Sequence, residues 1–356
     1  MKIIGVPKNI LTLMRENTVN PSVKKYIAYL LAPILLLSFF FGCAGSGTDT
    51  YSAGTETETE TVEQPLAVLI TSSDYQSSGT FMTFRLLLDV IKENGIPTPD
   101  CALFGGDYSI STETDPDNSI RNLSEKLMGV YPDFLPENAV FVQGNHDNAT
   151  DALTPTGAYD MGSFVVYCIN EDDFPSGQEP KDTEQAVSAL ERYLSEMTAK
   201  RDLRPVIVAS HLPLHENARA DNAGAGKLAD VLNRYGRELD ILYLFGHNHS
   251  DNYDDSIGGS VNYFAVGDTM YVPVPASEDS GRIEGSRKLT LCFSCLNYGY
   301  VGYSNNAEGG ISTNVLTLGV IQIYPESIKI TRYTAEGEYC SYSIPLQNTS
   351  AVQNAA

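Results

Sequence analysis

Residues 241–249 read Ile-Leu-Tyr-Leu-Phe-Gly-His-Asn-His, a short apolar run that ends in a glycine and two histidines. The run has the length and apolar content of a buried β-strand. Residues 139–147 read Ala-Val-Phe-Val-Gln-Gly-Asn-His-Asp and repeat the arrangement, with polar side chains after an apolar run. Polar residues in this position are typical of sites at the carboxyl edge of an α/β sheet.

Short apolar runs and helix-like segments alternate on both sides of these two stretches. The predicted helices are Thr80–Asn94, Asp182–Lys200 and Ala225–Tyr235, and the predicted strands are Leu66–Thr71, Cys101–Phe104, Ala139–Val142, Pro205–Ala209 and Ile241–Phe245. After residue 260 the predicted elements are strands: Lys288–Leu296, Val315–Tyr324, Ser327–Tyr333 and Glu338–Ile344. The alternation predicts an α/β fold, and the strand-rich last third predicts a second sheet packed on the first. We expect one domain over residues 66–346.

The N-terminal residues 1–43 have the pattern of a targeting segment. Lys24 and Lys25 precede the apolar run Tyr26–Gly42, and Cys43 follows. A basic flank before an apolar stretch and small residues indicates a secretory signal. Gly42-Cys43 also resembles the lipobox of bacterial lipoproteins, so we expect an extracytoplasmic, membrane-anchored lipoprotein. An uncleaved membrane anchor and simple secretion are the alternatives.

Two further stretches lack an apolar period. Residues 44–65 are rich in Thr, Glu, Gly and Ser, which predicts a flexible acidic tether. Residues 347–356 are predicted to be a loose tail.

The overall charge excludes one class of function. The chain has 23 basic and 45 acidic residues, a formal net charge of −22, and therefore no broad basic face for nucleic acid. Its hydrophobic content of 42% excludes a largely disordered protein. The five histidines all fall between residues 146 and 249, which indicates a site rather than scattered core positions.

Seven polar residues follow predicted strands and form the candidate site: Asp74, Asp107, Asn145, His146, His211, His247 and His249. Carboxylates, an amide and imidazoles together suit Mn, Fe or Zn better than Ca, which prefers oxygen ligands alone. Asp74 has an alternative interpretation as a helix N-terminal cap. His215 is either a substrate-binding residue or a partly exposed loop histidine.

The order of these residues resembles the motif series of the calcineurin-like metallophosphoesterase family. The series comprises Asp74-Tyr75-Gln76 (where the family has Asp-x-His), Gly106-Asp107, Gly144–Asp147, His211 and Gly246–His249. The resemblance implies two packed mixed β-sheets flanked by helices, a four-layer sandwich. It also implies a metal-dependent hydrolase that takes a small phosphate mono- or diester.

The resemblance further implies a role for each residue in a dinuclear metal centre. One metal ion would be held by Asp74, Gln76 and His249, the other by Asn145, His211 and His247, with Asp107 bridging both. His146, oriented by Asp147, would contact the phosphate and protonate the leaving oxygen after in-line attack by a metal-bridging hydroxide. Among Mn, Fe and Zn, Mn is favoured because the Gln76 amide is a poorer ligand than imidazole for softer ions.

Several alternatives stay open at this point. A non-catalytic surface binding protein that keeps the fold, with a first metal site weakened by Gln76, is the alternative function.

The loops expected to form the walls of the cleft are 108–138, 148–162 and 212–224. Cys292 and Cys295 are expected to be core or disulfide residues, because residues three apart on a strand face opposite sides.

Overall fold

The computed structural model describes residues 63–76, 80–108, 116–175, 180–215, 222–249, 262–302 and 316–348. Its strands are β1 (Ala67–Ser72), β2 (Cys101–Phe104), β3 (Ala139–Phe141), β4 (Gly157–Asp160), β5 (Val165–Ile169), β6 (Val206–Ser210), β7 (Ile241–Phe245), β8 (Tyr263–Phe264), β9 (Thr269–Pro275), β10 (Ile283–Thr290), β11 (Ser294–Asn297), β12 (Leu318–Ile323), β13 (Ser327–Thr334) and β14 (Gly337–Pro345). The helices are α1 (Thr80–Glu93), α2 (Pro116–Val130), α3 (Glu184–Lys200) and α4 (Ala225–Tyr235).

The strands form two six-stranded mixed sheets and one hairpin. The first sheet has the order β14-β13-β12-β1-β2-β3, in which β1, β2 and β3 are parallel. The second has the order β4-β5-β6-β7-β11-β8, in which β5, β6, β7 and β11 are parallel. Strands β9 and β10 form the hairpin. The predicted α/β class with two mixed sheets is therefore confirmed.

Alternate side chains of each parallel strand enter different core layers, because neighbouring residues of a strand face opposite sides. Leu69 and Leu103 of the first sheet meet Ile207 and Leu242 of the second in the core between the sheets. The opposite face of the first sheet packs on α1 and α2, and that of the second sheet packs on α3 and α4. Four layers result, with both sheets covered on their outer faces.

Three details of the expected secondary structure are wrong. Residues 108–138 are not all loop, because α2 lies among them and buries Ile120, Leu123 and Leu127 against the first sheet. Strands β4 and β5 were not expected, and β4 lies within the stretch assigned to the cleft wall at 148–162. The single strand expected at Lys288–Leu296 is two strands in different sheets, β10 and β11.

No disulfide joins Cys292 and Cys295, so of the two expectations for this pair the disulfide is wrong. No helix within the described ranges is long and apolar enough to cross a membrane. The predicted signal or anchor at residues 1–43, and the tether up to residue 62, lie outside those ranges, as do residues 349–356 of the predicted tail. Membrane attachment through a lipid or an N-terminal helix, and with it an extracytoplasmic location, stays a prediction.

Candidate metal centre

The loops after the parallel strands carry most of the backbone strain of the described residues. Among the described residues, the non-glycine residues with positive φ are Asp74 (61°), Asp107 (59°), Arg201 (55°), His247 (65°) and His249 (49°). Arg201 ends a helix, whereas the other four are candidate ligands. Left-handed backbone is uncommon for such residues and persists where the surroundings fix it, often at functional sites.

The structure brings Asp74, Asp107 and His249 into one group of ligand atoms. One such atom from each lies within 4.8 Å of those from the other two. His249 Nε2 is 3.3 Å from Asp74 Oδ1, and the His247 backbone N–H donates to the same oxygen at 3.1 Å. The interpretation of Asp74 as a helix cap is wrong, because α1 begins six residues later, at Thr80.

A second group shares Asp107 with the first. His211 Nε2 is 3.4 Å from Asp107 Oδ1 and 3.1 Å from Asn145 Oδ1. His247 Nδ1 lies 2.9 Å from the same amide oxygen. His211 Nδ1 is 2.6 Å from the Gly105 carbonyl oxygen. When Nδ1 donates its proton to this oxygen, the lone pair of neutral Nε2 can bind a metal ion.

The electrostatics of these groups favour a bound cation. Asp74 and Asp107 are buried, with exposed fractions of 1% and 0%. Burial alone would raise both pKa values, but His249 and His211 outweigh it and hold the pKa of Asp74 and of Asp107 below the usual range. Burial would likewise lower the pKa of His211, yet Asp107 raises it to about 10. The described contacts of these carboxylates include no lysine or arginine.

The charge and donor types of the two ligand groups suit divalent metal ions. Two buried, ionised carboxylates need compensating charge, and the nearby imidazoles supply it only when protonated. The ligand atoms of Asp74, Asp107 and His249 converge within 4.8 Å, and contacts to Asn145 and Asp107 join His211 and His247 to the same site. First-row transition ions accept this combination of nitrogen and oxygen donors. The first group therefore fits a divalent ion, and the donor types of the second group suit another.

Asp147 binds backbone amides of two of the loops. Its Oδ2 accepts the Asp107 N–H at 2.7 Å and the Gly144 N–H at 2.8 Å, and its Oδ1 accepts the Tyr108 N–H at 2.7 Å. His146 is exposed, and its backbone N–H donates to Asp107 Oδ1 at 3.0 Å. The structure thus adds a structural task for Asp147, while its predicted orientation of the His146 ring stays a prediction.

Gln76 lies beside the Asp107 carboxylate, where its amide nitrogen Nε2 donates a hydrogen bond to Asp107 Oδ2. Because Asp107 belongs to the first group of ligand atoms, the Gln76 amide contacts that group. An amide carries a donor and an acceptor on one carbon, so rotation about its last bond would turn the oxygen toward a cation.

Gln76→His is expected to tighten binding at the first group by about tenfold, because imidazole is a better donor than an amide oxygen to Zn²⁺. Zn²⁺ titration calorimetry of metal-free protein measures the change. The matched control is Gln185→His, which adds an imidazole at an exposed position of α3. Equal Zn²⁺ affinity in both variants would contradict a ligand position at Gln76.

His215 is buried, so its interpretation as a partly exposed loop residue is wrong. It is 4% exposed and packs between Phe245 and Phe264, each with a ring-centroid distance of 5.3 Å. Burial lowers its pKa to about 4, which keeps the imidazole neutral near pH 7. Contact between His215 and a substrate stays a prediction.

One contact at the site was missed by sequence reasoning. The ring of Tyr300 stacks on that of His249, with centroids 5.4 Å apart and planes at 16°. The available signal was Tyr-Gly-Tyr-Val-Gly at 298–302, where two glycines follow the end of a predicted strand.

The sequence model of a protein family described as "Calcineurin-like phosphoesterase" matches residues 69–251, more than half of the chain. The chain belongs to the calcineurin-like phosphoesterase family. The matched range contains every strand-end residue of both ligand groups, from Asp74 to His249. None of the curated proteins compared with the chain matches it.

Solved structures similar to this family member are distant in sequence. A dimetal phosphatase from Danio rerio is 11% identical, with 80% of this chain and 100% of that chain covered and a TM-score of 0.47. GAP50 of Plasmodium, described as the anchor in the inner membrane complex, is 14% identical, with 81% and 93% covered and a TM-score of 0.47. A single mutant of Vps29 from Entamoeba histolytica is 13% identical, with 78% and 98% covered and a TM-score of 0.32. The family assignment rests on the sequence match.

Proposed function

We propose that this chain is a metal-dependent phosphoesterase that hydrolyses a small phosphate mono- or diester. The observation that carries the proposal is the pair of ligand groups that share Asp107. Membership of the calcineurin-like phosphoesterase family supports the same class of substrate. The alternative of a binding protein without activity has no structural observation in its favour.

In the proposed centre, the first ion would be held by Asp74, Gln76 and His249. The second would be held by Asn145, His211 and His247, and Asp107 would bind both. Two divalent ions in these positions would supply activation of water and neutralisation of the phosphate charge. Mn²⁺ is the favoured ion, since the first group offers mainly oxygen ligands.

The protein's own contribution begins with the buried carboxylates. Asp74 and Asp107 are held ionised by their surroundings, so neither carboxylate has to lose a proton when a cation binds, whereas His211, whose pKa is about 10, releases one. The Gly105 carbonyl directs Nε2 of His211 toward the centre. Fixed ligands lower the reorganisation that a reaction would otherwise require.

His146 is the proposed general acid. Its side chain is exposed, while its backbone is tied to the bridging carboxylate by the N–H bond to Asp107 Oδ1. An imidazole in this position can contact a phosphate oxygen and give its proton to the departing alkoxide. No covalent intermediate with the protein is required for direct attack by water.

Removal of metal tests the proposal. The hydrolysis rate of protein that has been treated with a chelator and desalted is expected to fall at least about 10²-fold. The ions stabilise the transition state more than a single hydrogen-bond donor does. Added Mn²⁺ is expected to restore the rate. Para-nitrophenyl phosphate and bis-para-nitrophenyl phosphate carry the same chromophore, and their relative rates separate monoesterase from diesterase activity.

Two results would contradict the proposal. One is the absence of turnover of both substrates with Mn²⁺, Zn²⁺, Fe²⁺ or Ni²⁺. The other is turnover that survives complete removal of metal, verified by elemental analysis of the same sample.

A further inference from the structure

We propose that residues 297–302 form an additional part of the metal centre, in which Tyr300 is a positioning residue for the His249 imidazole. This inference rests on the proposed function. The segment, here called the 297–302 segment, begins at the last residue of the second-sheet strand β11 and lies outside the range that the family model matches. None of the motif residues belongs to it.

Tyr300 restricts the ring of His249. The two rings are 5.4 Å apart and nearly parallel, at 16°, an offset stacking geometry. The exposed fraction of Tyr300 is 2%, whereas the His249 side chain is 18% exposed. Tyr300 therefore provides a buried flat surface for an imidazole that is otherwise partly open to solvent.

The 297–302 segment is also bound to the loop that carries Asp74. The Ser73 N–H donates to the Gly299 carbonyl at 2.9 Å, and Ser73 forms a parallel bridge with Tyr300. A side chain at position 302 would collide with the backbone oxygen of Asp74. His249 Nε2 and Asp74 Oδ1 are 3.3 Å apart, so the segment contacts two neighbouring residues of the first ligand group.

The 297–302 segment also packs against the loop that carries Asp107. The ring of Tyr298 fills the space beside Gly105 into which any larger side chain would project. Gly105 is the residue whose carbonyl fixes His211 Nδ1, two positions before Asp107. The same short segment thus packs against three of the loops that carry ligands.

A buried arginine holds the segment in place. Arg332 of β13 in the first sheet has an exposed fraction of 0%. Its Nη1 donates to the Tyr298 carbonyl at 2.5 Å, and its Nη2 donates to the Asn297 carbonyl. The Thr71 hydroxyl also donates to the Tyr298 carbonyl, at 2.6 Å. Charged donors form the stronger class of hydrogen bond, so the backbone of the segment is fixed relative to both sheets.

Arrangements that orient a ligand contribute to metal affinity even when they do not touch the metal. Mutation of residues that position metal-binding side chains typically lowers metal affinity by about 10- to 100-fold. Loss of the Tyr300 ring would leave the His249 imidazole free to adopt other rotamers. The affinity of the ion held by Asp74 and His249 is then expected to fall, while that of the other ion is kept.

The experiment compares Tyr300→Leu with Tyr300→Phe, which keeps the stacked ring and removes only the hydroxyl. Metal-free full-length protein is titrated with Mn²⁺ by calorimetry, and Co²⁺-loaded protein is compared by its visible absorption. In Tyr300→Leu we expect one of two Mn²⁺ ions to bind about tenfold more weakly, with a changed Co²⁺ spectrum. Tyr300→Phe is expected to keep both affinities and the spectrum.

Circular dichroism of each metal-free variant verifies folding. If Tyr300→Leu does not fold, Tyr300→Met fills a similar volume without a planar ring and takes its place. Equal Mn²⁺ affinities in wild type and the folded variant without a ring would overturn the role of Tyr300 and leave the proposed function intact. Failure of wild type to bind two ions would instead overturn the proposed function, and the inference with it.

Discussion

Asp107→Asn is expected to lower kcat/KM for a phosphate ester by at least about 10³-fold, or about 4 kcal/mol of transition-state stabilisation. The Asp107 carboxylate is shared by both ligand groups and is fully buried. Asparagine keeps the size of the side chain but has no charge and only one acceptor oxygen. Two cations held close together would then lack the anion that offsets their repulsion.

Steady-state kinetics with Mn²⁺ and elemental analysis of the purified variant measure the two consequences. The variant is expected to retain fewer than two ions per chain as well as lose its activity. Asp133→Asn is the matched control, because this carboxylate is exposed and lies outside the site. A variant at position 107 with wild-type metal content and wild-type kcat/KM would contradict the shared-carboxylate centre.

The sequence predicted the parallel strands β1, β2, β3, β6 and β7 and the loops that follow them, but it did not predict the parallel strand β5. Buried parallel strands are short and almost wholly apolar, so Val206–Ser210 and Ile241–Phe245 were recognisable without alternation. The residues after them are polar, and the topology brings these strand ends to a common edge. The order of the strand-end residues therefore carried both the fold and the candidate ligands.

Helix α2 and strand β4 were missed for different physical reasons. Helix α2 contains Asn, Ser and Gly among its fifteen residues, and its apolar side chains are confined to one narrow stripe, so packing rather than propensity accounts for the helix. Strand β4 reads Gly-Ala-Tyr-Asp and pairs antiparallel with β5 at the edge of the second sheet. Neither segment carries the long apolar run that marks the central strands.

The contacts of Tyr300 and Arg332 could not be predicted from the sequence. The contacts of Arg332 depend on the approach of the two sheets, which brings β13 of one sheet to the end of β11 in the other. Tyr300 contacts His249 because the two residues follow the neighbouring strands β11 and β7, and β11 was not predicted as a separate strand. Arginine within a strand pattern ordinarily indicates an exposed face, because charged side chains are almost never fully buried unless they are partnered. Here backbone carbonyls at the end of β11 are the partners, and no sequence pattern specifies them.

Asp147→Ala is expected to lower the free energy of unfolding by roughly 3 to 5 kcal/mol, even in metal-free protein. Its carboxylate accepts backbone N–H groups from Asp107, Tyr108 and Gly144, all buried positions. Alanine leaves these donors without that acceptor, and an unpaired buried donor costs about 1 to 3 kcal/mol. A decrease in Tm on the order of 10 °C corresponds to this loss.

Asp147→Asn separates this structural task from the orientation of His146. Asparagine keeps one acceptor oxygen, so we expect a smaller loss of stability, roughly 1 to 2 kcal/mol. Urea denaturation of metal-free wild type and both variants measures the order wild type, Asn, Ala. Unchanged stability in Asp147→Ala together with a reduced kcat would instead show that Asp147 acts only by orienting His146. Because the three N–H groups belong to the loops that carry Asp107 and Asn145, loss of the Asp147 carboxylate is expected to weaken Mn²⁺ binding at both ligand groups together.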